Sequence, residues 1–200
     1  MTLLVDDVPA AIEQGDLLFT HFGVSGPKVL IVSGAVSPAL AEGKKVALSL
    51  NFKPPQSVDE YDKVLQNELK SSANKTVRAY WGDVFPESFA LVFESRCGIP
   101  AGIKCGDVSR DMRRKIAAMV TDFRIPITKT RPIEEATITR GGVCLDEINP
   151  QSMESRLVNH LFWCGEVIDL DGSTGGYNLQ EAFSTGYLAG ESAAGVKKSA

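Results

Sequence analysis

Hydrophobic and polar positions alternate most clearly over residues 44–52, where Val46, Leu48, Leu50 and Phe52 share one side. A period of two predicts a strand with that side buried. Pro54-Pro55 ends it. Leu3 to Val5 forms a shorter apolar run, and Asp6-Asp7 reads as a turn. Leu17-Leu18-Phe19 leads into a glycine-rich loop, Thr20 to Pro27. Pro27 suits the first position of a helix, where its missing N–H is not needed. That helix is expected to reach about Val36 and to stop at Pro38. Its apolar residues, Val29 to Val32 with Ala35 and Val36, run nearly all round, so it should be buried.

The period then changes to that of helices. Ser57-Val58-Asp59-Glu60 has the form of a capping box. Val58, Tyr61, Leu65 and Leu69 follow on one helical face. A second helix is predicted from near Pro86 to Gly98, with Phe89, Val92 and Phe93 inward. A third follows Ser109, with Met112, Ile116, Met119, Val120 and Phe123 as its stripe and Arg110, Arg113, Arg114 and Lys115 on its other side. Arg124 to Thr128 and Ala136 to Thr139 alternate as strands, the second broken by Gly141-Gly142. Leu161 to Cys164 reads as a buried strand, Gly165 to Gly176 as a glycine-rich loop, and Asn178 to Ala193 as a helix. Lys197-Lys198 suit a helix C-terminus or a tail. The pattern is α+β. A helical block, residues 57–122, interrupts a β-rich part spanning 1–140, and residues 141–200 form a C-terminal segment.

Composition narrows the function. The 200 residues suit one domain or two small ones. A net charge of -4 argues against a nucleic-acid partner held by general electrostatics. On the basic helix face, Asp107, Asp111 and Asp122 balance the arginines. No apolar run reaches about 18 residues, so no membrane helix is expected. The start carries two acids and no base, unlike a secretory signal. Cys97, Cys105, Cys144 and Cys164 form no C-x-x-C pair and match no metal spacing. The reading is a cytoplasmic chain with reduced thiols and no metal. Gly23-Val24-Ser25-Gly26-Pro27 is not the G-x-S-x-G elbow of a hydrolase, and only His21 and His160 could serve a triad.

The richest local feature is the last strand–loop–helix. Glu166, Asp169 and Asp171 stand among Gly165, Gly172, Gly175 and Gly176, just before the helix. A helix N-terminus offers unpaired N–H donors and a positive dipole end. Glycines let a ligand approach the backbone, and acids at a strand end can accept from sugar hydroxyls. A glycine-rich connection with no ligand would look the same.

Three segments carry a family resemblance. They are Gly15 through Pro27, Ala136 through Val143 with Glu147-Ile148 and Met153-Glu154-Ser155, and Gly165-Glu166-Val167-Ile168-Asp169 through Gly175-Gly176-Tyr177-Asn178-Leu179-Gln180 and Gly186. In this order they resemble the BaiN/YhiN-type NAD(P)/FAD-dependent flavoproteins, which include aminoacetone-oxidase-like enzymes. The resemblance implies a glutathione-reductase-type FAD-binding fold with an inserted β-rich domain and a helical subdomain. It implies FAD, and NAD(P)H as a further cofactor, with a small-molecule substrate. It places Glu166 at the ribityl chain and the backbone of Tyr177, Asn178 and Leu179 at the pyrimidine edge of the flavin. Gly141, Gly142 and Val143 would line the cofactor at the domain crossover, and Gly165, Asp169, Gly175 and Gly176 complete the implied cofactor side. Family members begin with a G-x-G-x-x-G turn that holds the pyrophosphate, and this sequence contains none. The expectation is therefore the C-terminal portion of such an oxidoreductase, inactive alone and partnered by a missing N-terminal FAD-binding half. The alternative is a stable, non-catalytic module that does not bind FAD by itself.

Overall fold

A computed structural model describes residues 1–195, so Lys197-Lys198 lie outside the described residues. The fold is mixed α+β. It divides into two compact units. One takes Met1–Glu13 and Gly43–Thr128, and the other takes Gln14–Glu42 and the chain from Lys129 onward.

In the first unit, β1 (Thr2–Val5) turns at Asp6-Asp7 into β2 (Val8–Ile12). Both aspartates have positive φ, 50° and 64°. This turn matches the twist of paired strands. β5 (Val46–Leu50) and β6 (Phe123–Ile127) complete an antiparallel sheet in the order β2-β1-β5-β6. The predicted alternation holds, with Val46, Leu48 and Leu50 buried. β2 has no alternation to betray it, because it is a mostly exposed edge strand. Pro9 and Pro126 occupy the two edge strands, where a missing backbone donor is tolerated.

Four helices pack in this unit, where the sequence predicts three. α2 (Val58–Ser71) carries the complete capping box. Ser57 N donates to Glu60 Oε2 at 2.8 Å, and Glu60 N donates to Ser57 Oγ at 3.4 Å. α3 (Val77–Gly82) has six residues, too few to show a period. Its sequence signal is the cap, since Ala79 N donates to Thr76 Oγ1 at 3.2 Å. α4 (Glu87–Cys97) ends at Gly98, which is left-handed. Its buried stripe is Ala90, Phe93 and Cys97, and the expected inward Val92 is 49% exposed. The stripe is rotated because Ala90 and Cys97 take the core side three and four residues from Phe93. α5 (Arg110–Thr121) is capped by Ser109 and buries Ile116, Ala117 and Val120. Trp81, Phe93, Phe85, Phe89, Phe52 and Phe123 join in one aromatic cluster, Trp81 to Phe93 at 4.8 Å between centroids.

Two arginines of α5 pair with α2. Arg113 Nε and Nη2 donate to Asp62 Oδ1 and Oδ2 at 2.9 and 3.0 Å, with both side chains mostly buried. Arg114 reaches Asp59 at an exposed pair. The Arg113 hydrogen bonds hold the Asp62 carboxyl below the usual carboxylate range. A depressed carboxyl adds stability above its unfolded pKa, and that stability fades as pH falls through the folded value. Asp62→Asn should therefore cost about 1–2 kcal/mol at neutral pH and progressively less in acid. Urea unfolding of both proteins at neutral and acid pH checks this. An equal cost at both would remove the ion pair as the cause.

In the second unit, β3 (Leu18–Thr20), on the predicted apolar run, and β4 (Gly23–Ser25), inside the predicted glycine-rich loop, form a hairpin. α1 (Pro27–Ala41) starts at Pro27 as expected but continues through Pro38. Proline denies the carbonyl four residues back its usual donor. Here that carbonyl is Gly34 O, and it accepts from Arg140 Nη1 at 2.9 Å instead. The break predicted at Pro38 is thus repaired by a residue distant in sequence.

Two predicted strands are absent. Ala136 to Thr139 has no strand partner, because Ala136 N closes a turn onto Ile133 O and Thr139 N is taken by Glu166. Leu161 to Cys164 makes one isolated bridge, Phe162 to Glu154, with Trp163 N donating to Met153 O at 2.9 Å. This irregular region packs on Ile148, Met153, Ile168 and Ala189. α6 (Tyr177–Ala193) closes the described chain as predicted. Among the described residues, no helix is long and apolar enough to cross a membrane. No cluster of metal-ligating side chains occurs among them.

Candidate functional site

The sequence-chosen residues fall into two groups within the second unit. The first is Gly141-Gly142-Val143 against Val167 to Asp169. Val143 N donates to Val167 O at 2.8 Å, and Asp169 N donates to Val143 O at 3.0 Å, as a parallel bridge. Only glycine fits at 142, because a Cβ would stand 2.3 Å from Val167 O. The second group is Gly175-Gly176 and the first turn of α6. Gly176 is left-handed at the N-cap, and no side chain caps the helix. The backbone donors of Tyr177, Asn178 and Leu179 therefore face outward from the dipole's positive end.

Four contacts staple these groups, joining the chosen Glu166, Gly165 and Asn178 to residues the sequence reading did not assign to the cofactor, Thr139, Thr185 and Gly172, with Arg140 and Asp171 as the remaining pair. Glu166 Oε1 accepts from Thr139 N at 2.6 Å and from Thr139 Oγ1 at 3.1 Å. Gly165 N donates to Thr185 Oγ1 on α6 at 2.9 Å. Arg140 Nε and Nη2 donate to Asp171 Oδ1 and Oδ2, both at 2.8 Å. These bonds hold the Asp171 carboxyl below its ordinary range. Gly34 has no side chain where Arg140 crosses α1, and a Cβ there would lie 3.0 Å from Nη1. The fourth staple is Asn178. Its Oδ1 accepts from Gly172 N at 2.8 Å and its Nδ2 donates to Gly172 O at 2.9 Å. The Asn178 side chain is committed to the loop, which leaves only its backbone for a ligand. Asp169 is exposed and contributes through its backbone to the bridge.

Asn178→Ala should remove both loop bonds at a cost of about 1–2 kcal/mol. The Gly172 amide should then exchange much faster with solvent. Unchanged protection at Gly172 would show that the loop is held by something else.

Glu181, on the second turn of α6, was also missed. Its Oε1 is buried with no partner among the described residues. Burial first, and the Glu166 carboxylate second, push its carboxyl above the ordinary range. α6 also exposes Leu179, Phe183 and Tyr187 at 66–72%. Those positions lie four residues apart and form one apolar stripe.

The observed pieces suit the ring and ribityl side of a flavin. There are outward N–H donors at the start of α6 and a Glu166 carboxylate fixed by one oxygen. The G-x-G-x-x-G turn that holds a pyrophosphate in dinucleotide-binding folds does not occur in the 200 residues.

Comparison with known proteins gives three kinds of relative. A family model described as an HI0933-like protein barrel and H2TH domain matches residues 2–138. The 3-dehydro-bile acid delta(4,6)-reductase of Clostridium scindens is 28% identical over 182 residues, 91% of this chain and 44% of that protein. The ribosomal RNA dihydrouridine synthase of Escherichia coli is 31% identical over 185 residues, 92% of this chain and 44% of its own length. Its Haemophilus influenzae counterpart is 28% identical over 171 residues, 86% of this chain and 40% of its own. The chain thus spans less than half the length of these curated relatives.

Proposed function

The chain belongs to the HI0933-like family of BaiN/YhiN-type flavoprotein oxidoreductases, and from that premise we propose that it forms the flavin-ring and substrate side of an FAD-dependent, NAD(P)H-linked reductase. The observation that carries this reading is the uncapped start of α6, together with a Glu166 carboxylate held through only one of its oxygens. Gly141, Gly142, Val143, Gly165, Glu166, Asp169, Gly175, Gly176, Tyr177, Asn178 and Leu179 are the residues assigned to the cofactor. In the proposed fold, of glutathione-reductase type, the α6 donors receive the electron-rich pyrimidine edge, and Glu166 accepts from the ribityl chain. FAD, when bound, supplies the two-electron transfer.

The named relatives suggest a substrate class. A delta(4,6)-reductase of a 3-dehydro bile acid and a dihydrouridine synthase both act at carbon–carbon double bonds conjugated with a carbonyl. We assign the same class here. NAD(P)H and FAD, when bound, would supply the hydride for one carbon, and a proton would add to its neighbour. The chain's part is to hold the cofactor edge and the substrate and to exclude water.

The pyrophosphate cradle and the adenosine site fall to a separate dinucleotide-binding half. We assign the exposed Leu179, Phe183 and Tyr187 stripe to that half. A contiguous apolar surface of this kind marks an interaction site. The missing cradle favours a second reading, a stable module that does not hold FAD alone.

Titration of the purified chain with FAD separates the two. Flavin fluorescence gives the stoichiometry, and the amide resonances of residues 165–179 give the place. Stoichiometric binding with shifts at Tyr177 to Leu179 supports the cofactor site and ends the second reading. Shifts confined elsewhere would remove the site assignment. No binding at high micromolar FAD would mean that this chain holds no flavin on its own.

A further inference from the structure

The β3–β4 hairpin ends in His21-Phe22, outside the proposed cofactor residues. Thr20 Oγ1 closes the tip by donating to Gly23 O at 3.1 Å. The Arg131 guanidinium lies over the Phe22 ring, 4.4 Å from its centroid. The His21 ring meets the same ring edge-on at 5.0 Å. Arg131 is fixed along a second edge, where Nε donates to Glu135 Oε2 at 2.8 Å and Nη2 donates to Glu135 Oε1. Nη1 has no hydrogen-bond partner among the described residues. The patch is open to solvent. Phe22 is 47% exposed and Ile133, two residues beyond Arg131, is 71% exposed.

An ordinary surface arginine moves freely. Fixing one against an aromatic ring and a carboxylate costs side-chain entropy. The result is a rigid, flat cation with one face and one donor nitrogen unused, beside apolar surface. That combination is poorly matched to a compact anion, which gains nothing from Phe22 and Ile133. It is well matched to a flat conjugated ring bearing a carbonyl. The ring stacks on the guanidinium plane or the aromatic, and the carbonyl accepts from Nη1.

We propose that His21, Phe22 and Arg131 form a recognition platform for a planar ring with a conjugated carbonyl, such as a uracil base or a steroid dienone. The proposal rests on the substrate class assigned above. It adds a direction to the chemistry. A hydrogen bond from Nη1 to the carbonyl oxygen draws electron density from the conjugated double bond and favours hydride addition at its far carbon.

The test follows the Arg131 Nε–H signal and the His21 ring signals by NMR, with the full chain and no flavin. The probes are uridine, dihydrouridine, a keto-conjugated steroid diene and inorganic phosphate. Uridine or the dienone should shift both sets of signals. Dihydrouridine, which has lost the flat conjugated ring, should bind about tenfold more weakly than uridine. Which of the two flat probes binds identifies the source of the ring. Arg131→Lys keeps the charge but loses the plane, and it should weaken binding by about tenfold. Its backbone spectrum verifies the fold. Four results would overturn the proposal: no shift with either flat probe at millimolar concentration, equal binding of dihydrouridine, the same shifts with phosphate alone, or full binding by Arg131→Lys. Because no flavin is present, failure here is separate from failure of the FAD titration.

Discussion

Gly142→Ala should destabilise the second unit by about 3 kcal/mol or more, through steric conflict and loss of backbone bonding. The added Cβ would stand 2.3 Å from Val167 O and 2.9 Å from Asp169 N. Neither atom is the end of a flexible side chain, so the backbone itself must move. The two bonds between Val143 and the 167–169 segment, at 2.8 and 3.0 Å, are the ones displaced. Gly141→Ala is the matched control. Its φ of 96° strains any side chain, but no atom lies within 4 Å of the new Cβ, so about 1 kcal/mol is expected. Exchange of the Val143 and Asp169 amides, with urea unfolding of both variants, measures the difference. If the two alanines cost the same, close approach at 142 is not what holds the site together.

Phe93→Ala should cost about 3–5 kcal/mol, the range for emptying a large buried aromatic site. Phe93 is fully buried. It touches Trp81 at 4.8 Å, Phe85 at 6.0 Å, Phe89 at 6.1 Å and Phe123 at 6.3 Å between centroids. These rings come from α3, α4, β6 and the segment between α3 and α4, so collapse into the gap would have to move several elements together. Trp81 is the natural reporter, and Trp163→Phe leaves it as the sole emitter, since the sequence has two tryptophans. Phe93→Leu refills most of the volume and should recover much of the loss. A cost below about 1 kcal/mol for alanine would mean that the cluster repacks freely, contrary to a close-packed core.

What could be read from the sequence was what depends on near neighbours. The Ser57–Glu60 box, the alternation of β5 and the stripe of α5 are set by residues within two turns or one strand. α3 escaped because six residues show no period, although Thr76 marked its start. α1 passed through Pro38 because Arg140 supplies the missing donor, and no local window contains that information. The alternation of Ala136 to Thr139 and the apolar run of Leu161 to Cys164 looked like strands, but a strand needs a partner and these segments give N–H groups elsewhere. The candidate site divides the same way. Its glycines and acids stood out because their types are unusual in series. The staples from Thr139, Arg140 and Thr185 did not, since each joins residues brought together only by folding, and Asn178 was chosen for its backbone while its side-chain bonds to Gly172 went unread. The open guanidinium of Arg131 was equally invisible, because Phe22 lies far from it along the chain.

The Arg140 repair of α1 also has a clock. Gly34 and Arg140 are 106 residues apart, and a ribosome adds about 5–20 residues each second. A newly made α1 therefore waits roughly 5–20 s before its donor has even been synthesised. Throughout that interval water must serve the Gly34 carbonyl, and the turn carrying Pro38 has only local bonds to hold it. The last turn of an early helix is thus among the later parts of the second unit to become fixed.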